Sequence, residues 1–180
     1  MITRSERYIK TYRISPYEVI EASIEGIVRR KYRHDDVNPS IITSDGTEIW
    51  YWNDLVHRSN GPAVIRADGT REYYRNGQLH REDGPAIEYP DGDIEYFLAG
   101  LRHRVGGPAL IHKDSEKYYQ RGCLHREDGP ASITYLSKDA SYSWYFKGRF
   151  VFISTKNTEE ELDLFRDLTN LEKVEEVMNW

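Results

Sequence analysis

The feature that most constrains this chain is a repeated heptad-length string. HREDGPA stands at His80–Ala86 and again at His125–Ala131, HRSNGPA at His57–Ala63 and HRVGGPA at His103–Ala109. A degenerate copy, HDDVNPS, stands at His34–Ser40. The intervals between successive histidines are 23, 23, 23 and 22 residues, so five of the six histidines share one repeat position. A fixed period of this length means one supersecondary unit repeated, each copy burying its apolar residues against its neighbours. Five such units account for most of the 180 residues.

The rest of the unit keeps register. After each GPA comes a short apolar run such as Val64-Ile65 or Leu110-Ile111, then a turn at Asp45-Gly46, Asp68-Gly69, Asp91-Gly92 or the weaker Asp114-Ser115. An aromatic run follows: IWYW at 49–52, EYYR at 72–75, EYFL at 95–98, KYYQ at 117–120 and SWYF at 143–146. A second turn closes the unit at Asn76-Gly77, Ala99-Gly100, Arg121-Gly122 or Lys147-Gly148. Asp-Gly and Asn-Gly between strand-like runs predict type I′ hairpins, with φ > 0 at both central residues. The fold class read from this is mainly β: a meandering antiparallel sheet of tandem β-hairpin repeats with helical ends. The glycines of the GPA strings, Gly84 and Gly129, are expected to be turn glycines with φ > 0.

Two aromatic columns emerge from the alignment. Trp50, Tyr73, Tyr96, Tyr118 and Trp144 form the first, and Tyr51, Tyr74, Phe97, Tyr119 and Tyr145 the second. Adjacent residues of a strand point to opposite faces, so the columns are expected on opposite faces of one sheet. Phe97 has no hydroxyl to satisfy, which assigns the second column to the covered face and the first to an open one. The Arg column of Arg58, Arg81, Arg104 and Arg126 lies beside it, either as a ladder of internal ion pairs or as an anion-binding row. The candidate interface is therefore the first aromatic column with these four arginines, Trp50 and Trp144 serving as anchors.

This pattern resembles the MORN repeat family in its bacterial and viral variant form, on the period near 23 residues, the aromatic-x-x-Gly-x-x-His run and the Asp-Gly turn. The resemblance spans residues 27–152; the HREDGPA form is similar to repeats of phage and giant-virus proteins and, more distantly, to an antitoxin-associated variant. Ordinary MORN units carry a tight Gly-x-Gly at the turn after His, where this chain has the longer Arg-x-Asp-Gly-Pro-Ala. The resemblance implies a scaffold that binds proteins, not a reaction, and a phage or viral setting implies a host protein as partner, met in the host cytoplasm.

The flanks read as caps. Residues 1–26 form a basic segment, and the first 33 residues carry eight basic and four acidic side chains. Ser15-Pro16-Tyr17-Glu18 has the form of a helix start, predicting a helix to about Glu25 that ends at Gly26. Residues 153–180 read as an acidic helix. Lys156–Trp180 holds three basic and eight acidic residues, Thr158-x-x-Glu161 is a second capping box, and Leu162, Phe165, Leu168 and Leu171 give an apolar stripe. A second start at Thr169 or Asn170 leaves open whether this is one helix or two.

Enzymatic readings find little support. The place of Asp83 and Asp128 is held by Asn60 and Gly106 in other units, and that of Glu82 and Glu127 by Ser59 and Val105. Those residue types share turn tolerance rather than acid–base chemistry, so no catalytic residue is assigned. Equivalent histidines one unit apart are separated by at least two strand spacings, roughly 10 Å, too far to converge on zinc; no metal or other cofactor is expected. His112 aligns with Arg66 and Tyr89 and reads as an ordinary surface residue. Cys123, the single cysteine, aligns with Gln78 and Leu101, excludes an intrachain disulfide and points to a reducing compartment. The net charge of −5 argues against a nucleic-acid partner. No apolar stretch has membrane-spanning length, and the chain reads as cytoplasmic. The sequence leaves three functions standing: a protein-binding scaffold, a protein that sequesters a nucleotide between Tyr and Arg side chains, and an antitoxin-like partner protein.

Overall fold

The computed structural model describes residues 10–15, 18–22 and 36–178, with side chains from 36 to 170. The protein is mainly β, with antiparallel hairpins throughout and one C-terminal helix. The chain divides into two compact halves, Met1–Asp91 and Gly92–Trp180; the division falls inside the repeated region.

In the N-terminal half the strands Ile41–Ile42, Glu48–Ile49, Val64–Ile65, Arg71–Glu72 and Ile87–Glu88 meander antiparallel, each beside the next in chain order. The C-terminal half repeats the pattern with Ile94–Glu95, Leu110–His112, Ser115–Lys117, Ser132–Tyr135, Ala140–Phe146 and Arg149–Ser154. Beside each sheet stand separate two-stranded ribbons. Tyr51–Trp52 with Leu55–Val56 and Tyr74–Arg75 with Gln78–Leu79 belong to the first half. Phe97–Leu98 with Leu101–Arg102 and Tyr119–Gln120 with Cys123–Leu124 belong to the second.

In the first four units the aromatic run is thus not one strand, whereas SWYF at 143–146 stays within Ala140–Phe146, with an irregular register between Trp144 and Tyr145. In those four the run breaks at its first ring, because that residue exchanges hydrogen-bond partners. The Tyr73 amide donates to the Ala86 carbonyl at 2.8 Å while the Tyr73 carbonyl accepts from the His80 amide at 2.9 Å. Trp50, Tyr96 and Tyr118 make the same pair of bonds, to Ala63 and His57, Ala109 and His103, and Ala131 and His125. The alanines that accept these bonds, Ala63, Ala86, Ala109 and Ala131, are completely buried, so no larger side chain fits.

The two turn classes are built differently. The ribbon turns have φ > 0 at both central residues, as in Asn76 at 51° with Gly77 at 78° and Arg121 at 50° with Gly122 at 82°, which is the expected type I′ geometry; Lys147 at 47° with Gly148 at 84° repeats it between the last two strands of the sheet. The Asp-Gly turns do not. Only their glycines are left-handed, at 93° for Gly46 and 91° for Gly69. The Gly69 amide donates to the Arg66 carbonyl and the Arg66 amide to that of Thr70, forming a longer loop with glycine in the left-handed place. The aspartate in it serves as an acceptor: the Thr47 amide donates to Asp45 at 3.1 Å and the Thr70 amide to Asp68 at 2.8 Å.

The helix expected from Ser15 to Glu25 is replaced, over the described residues, by an antiparallel hairpin of Lys10–Ser15 and Glu18–Ala22, with an irregular register between Arg13 and Ser15. Val19 and Ile20 are β-branched and favour a strand. Residues 16–17 and 23–26 of that expectation lie outside the described residues. The C-terminal segment is one helix, Glu159–Met178. Its capping box is in place, with the Thr158 amide donating to Glu161 Oε2 at 3.1 Å and the Glu161 amide to Thr158 Oγ1 at 3.4 Å. Thr169 starts no second helix; its hydroxyl donates back to the Phe165 carbonyl at 2.9 Å and continues the first.

The core of the C-terminal half is aromatic. Trp144, Phe146 and Phe165 are 0%, 4% and 1% exposed, with Val151, Phe152 and Leu162 packed against them. Phe165 brings the helix onto the sheet at 5.1 Å from the Trp144 ring. Phe165→Ala should therefore lower the stability of the C-terminal half by about 3–5 kcal/mol in chemical denaturation, whereas exposed Leu164→Ala should change it by less than about 1 kcal/mol.

Candidate functional site

The candidate site is the surface generated by the His-Arg-x-x-Gly-Pro-Ala strings and the ribbons next to them. Its central element is the arginine. The guanidinium carbon of Arg58 lies 3.9 Å from the centroid of the Trp50 ring; Arg81 lies 4.0 Å from Tyr73, Arg104 4.0 Å from Tyr96 and Arg126 4.1 Å from Tyr118. Each also donates through Nη1 to the carbonyl of the proline four residues on: Pro62 at 3.3 Å, Pro85 at 3.2 Å, Pro108 at 3.1 Å and Pro130 at 3.5 Å. A guanidinium stacked flat on a ring keeps its in-plane N–H groups available for such bonds.

The glycine of the string follows from this contact. A Cβ on Gly84 would sit 2.9 Å from Arg81 Cζ, and one on Gly129 2.8 Å from Arg126 Cζ. Neither glycine has positive φ. The expectation that they are left-handed turn residues is corrected: they are glycine because the guanidinium fills the space a side chain would take. The variable position before them supports Nε. Asp83 accepts from Arg81 at 3.0 Å and Asp128 from Arg126 at 2.8 Å, and those hydrogen bonds hold both carboxyls below the usual carboxylate range. Where Asn60 stands instead, Arg58 Nε turns to the Asp36 carbonyl at 2.9 Å.

The histidines tie one repeat to the next. Nδ1 accepts from the backbone amide of the left-handed turn residue that follows: Asn76 to His57 at 3.1 Å, Arg121 to His103 at 3.2 Å and Lys147 to His125 at 3.3 Å. An Nδ1 that accepts places the ring proton on Nε2. Ion pairs complete the interior. Buried Glu95 accepts from Arg102 at 2.8 Å and has His112 Nε2 at 3.3 Å; buried Glu72 pairs with Arg66. His112 is thus half-buried beside a buried carboxylate rather than an ordinary surface residue. Burial, and then the neighbouring Glu72, push the Tyr74 hydroxyl up to about 12.

The structure does not place the first aromatic column on an open face. Trp50 is 3% exposed and Trp144 fully buried, while Tyr73, Tyr96 and Tyr118 are half-buried beneath their arginines. The arginine column covers Trp50, Tyr73, Tyr96 and Tyr118, the rings it was expected to accompany at an interface, and Phe152 and Phe165 cover Trp144. In the second column Phe97 is buried, as expected, but Tyr51, Tyr74, Tyr119 and Tyr145 are half-buried too. Among the described residues no three His, Cys, Asp or Glu side chains gather as a metal site, and no helix is long and apolar enough to cross a membrane.

Concave surfaces lie beside the repeated strings. One, of about 570 Å³, lies in the N-terminal half and is polar, lined by Arg58, Tyr73, Tyr74, His80, Arg81 and Glu82 among others. Another, of about 670 Å³, lies in the C-terminal half, lined by Leu98, Leu101, Val105, Cys123, Arg121 and Lys147 among others. Leu98, Leu101 and Val105 are 37%, 49% and 79% exposed. Sequence reasoning passed over this groove. The signal was present in the alignment of Leu101 and Cys123 with Gln78, a position just after the type I′ turn whose side chains point outward.

Comparison of the whole chain with protein-family models, curated proteins and solved structures finds no match.

Two predictions follow from the geometry. Gly129→Ala should force Arg126 off Tyr118 and lower stability by about 1–3 kcal/mol, read as a fall in melting temperature, while Arg126→Ala with Gly129→Ala should lose little more than Arg126→Ala alone. Tyr74, whose folded value lies above the unfolded one near 10, contributes stability that is complete below pH 10 and lost as pH rises toward 12. Tyr74→Phe should accordingly flatten the alkaline limb of a stability profile over that window.

Proposed function

We propose that the chain is a non-catalytic, protein-binding scaffold: an array of five MORN-like units over residues 27–152 that docks a partner protein in the apolar groove of its C-terminal half. The observation that carries this reading is the division of labour among the recurring residues. His57, His103 and His125, and Arg58, Arg81, Arg104 and Arg126, are engaged in bonds within the array. The groove residues Leu98, Leu101 and Val105 leave apolar surface in water instead. Clustered exposed apolar residues rimmed by polar ones mark interaction surfaces. A site for chemistry would need an asymmetric constellation of reactive groups, and the recurring groups are tied to backbone and rings.

The resemblance to repeats of phage and giant-virus proteins supports a host protein as the partner, in the host cytoplasm, with inhibition of a host enzyme or defence component as the outcome. An antitoxin-like partner role is the same physical act on a different target. Sequestering a nucleotide by Tyr–Arg sandwiching is less well supported, since one face of each of Trp50, Tyr73, Tyr96 and Tyr118 already carries a guanidinium.

The test is affinity purification from host extract with paired baits. A stoichiometric partner should be captured by the wild-type chain and weakened by roughly thirtyfold or more with Leu101→Glu, at unchanged melting temperature. A partner held equally well by both baits would remove the groove from the interface, and absorbance near 260 nm in the purified protein would favour the nucleotide reading.

A further inference from the structure

We infer that the groove of the C-terminal half also receives the acidic C-terminal helix of a second copy of this chain, so that the protein self-associates through a helix-in-groove contact. This rests on the reading of the groove as a protein-docking surface.

The helix presents two apolar stripes and uses one. Phe165 and Thr169 face inward, 1% and 4% exposed. Leu164 and Leu168, one turn apart, are 50% and 38% exposed. Positions 160, 164, 167 and 168 share one helical face, so Glu160 and Asp167 flank the outer leucines. The whole helix, Glu159–Met178, carries eight acidic and two basic residues. An exposed leucine stripe edged by carboxylates fits a groove lined by apolar and cationic side chains.

The groove is lined by the apolar side chains of Leu98, Leu101, Val105 and Cys123 and by the cations Arg121 and Lys147, among others. Both cations occupy left-handed backbone, φ 50° and 47°, the turn place that Asn76 holds at 51° and Ala99 at 50°. Lys147 Nζ also lies 5.3 Å from the centroid of the Phe146 ring. Arg121 and Lys147 give the groove a charge opposite to that of the helix. Because groove and helix lie in the same half, every copy offers both partners of the contact, and a two-fold pair would form it twice.

Sedimentation velocity on the full chain, from low micromolar to roughly millimolar concentration, should show a monomer–dimer equilibrium. It should weaken from 0.15 M to 1 M salt, as the screening length falls from about 8 Å to about 3 Å. Leu101→Glu and Leu168→Glu should each weaken association by roughly tenfold or more. The decisive arm is charge exchange. Arg121→Glu with Lys147→Glu, and Glu160→Lys with Asp167→Lys, should each fail to associate alone and should associate when mixed, since an acidic groove then meets a basic helix; circular-dichroism melts confirm that both are folded. A wild-type monomer throughout, association indifferent to both sets of charges, or no recovery on mixing of folded variants would each overturn the inference. A monomeric chain whose foreign partner is lost with Leu101→Glu sinks self-association and leaves the docking surface standing. A monomeric chain that keeps its partner with Leu101→Glu sinks both.

Discussion

The stacking of one guanidinium on one aromatic ring explains more of this protein than any other contact. It recurs four times at 3.9–4.1 Å, and the recurring string can be read from it residue by residue. Arginine supplies a flat cation with in-plane donors. Proline, four residues on, supplies the carbonyl that fixes its plane. Glycine leaves room beneath it, where a Cβ at Gly107 would meet Arg104 Cζ at 3.1 Å. Alanine, fully buried, receives the amide of the ring residue. Lysine could not replace the arginine, since a compact ammonium cannot both lie along a ring and donate in its plane. Sheets of two- and three-residue strands hold few ladder bonds, so the clamp, worth about 0.5–2 kcal/mol per pair, and the histidine ties account for how such short elements stay in register.

What the sequence disclosed was local. The type I′ turns were legible because Asn-Gly and its variants demand φ > 0 twice in succession, and the C-terminal capping box because Thr158 and Glu161 need only each other. The N-terminal helix expected from Ser15 onward is not found over Glu18–Ala22, which is a strand, in keeping with β-branched Val19 and Ile20. The Asp-Gly loops were misread because Asp45 and Asp68 act through their side chains on Thr47 and Thr70, so the aspartate itself need not be left-handed. There one dipeptide signal is compatible with two geometries, and bonds to residues two or more positions away decide between them.

The candidate site was less legible because it depends on what lies over what. The aromatic and arginine columns were both visible, but their juxtaposition was not, and it reverses their meaning: rings covered by cations leave little surface to a partner. Strand alternation misled here as well, since in the first four units the aromatic run breaks at Trp50, Tyr73, Tyr96 and Tyr118, and there the two columns are not neighbours on one continuous strand. The groove could have been found from the outward position after each type I′ turn, where Leu55, Gln78, Leu101 and Cys123 stand in succession. Leu55 and Leu101 are 47% and 49% exposed; each lies beside the turn glycine of the next repeat, where a Cβ on Gly77 or Gly122 would meet the leucine at 3.3 Å.

The end of the array shows the same rule from the opposite direction. Trp144 occupies the ring position of the last repeat, but no His-Arg string follows it in sequence. The place of a guanidinium is taken by two other rings: Phe152 stacks on Trp144 at 5.2 Å with planes 22° apart, and Phe165 closes at 5.1 Å. A repeating cation clamp is thereby exchanged for a single aromatic one, delivered by a strand and a helix outside the repeat. The exchange has a consequence for Trp144, which becomes the most buried of the ring residues while Tyr118, one repeat earlier, stays half-buried under Arg126. It also frees the helix from any repeat register. Among the described side chains of the helix, Leu162, Phe165 and Thr169 face the sheet, and the outward side is open to selection for charge and for exposed leucines, which is where Leu164 and Leu168 lie.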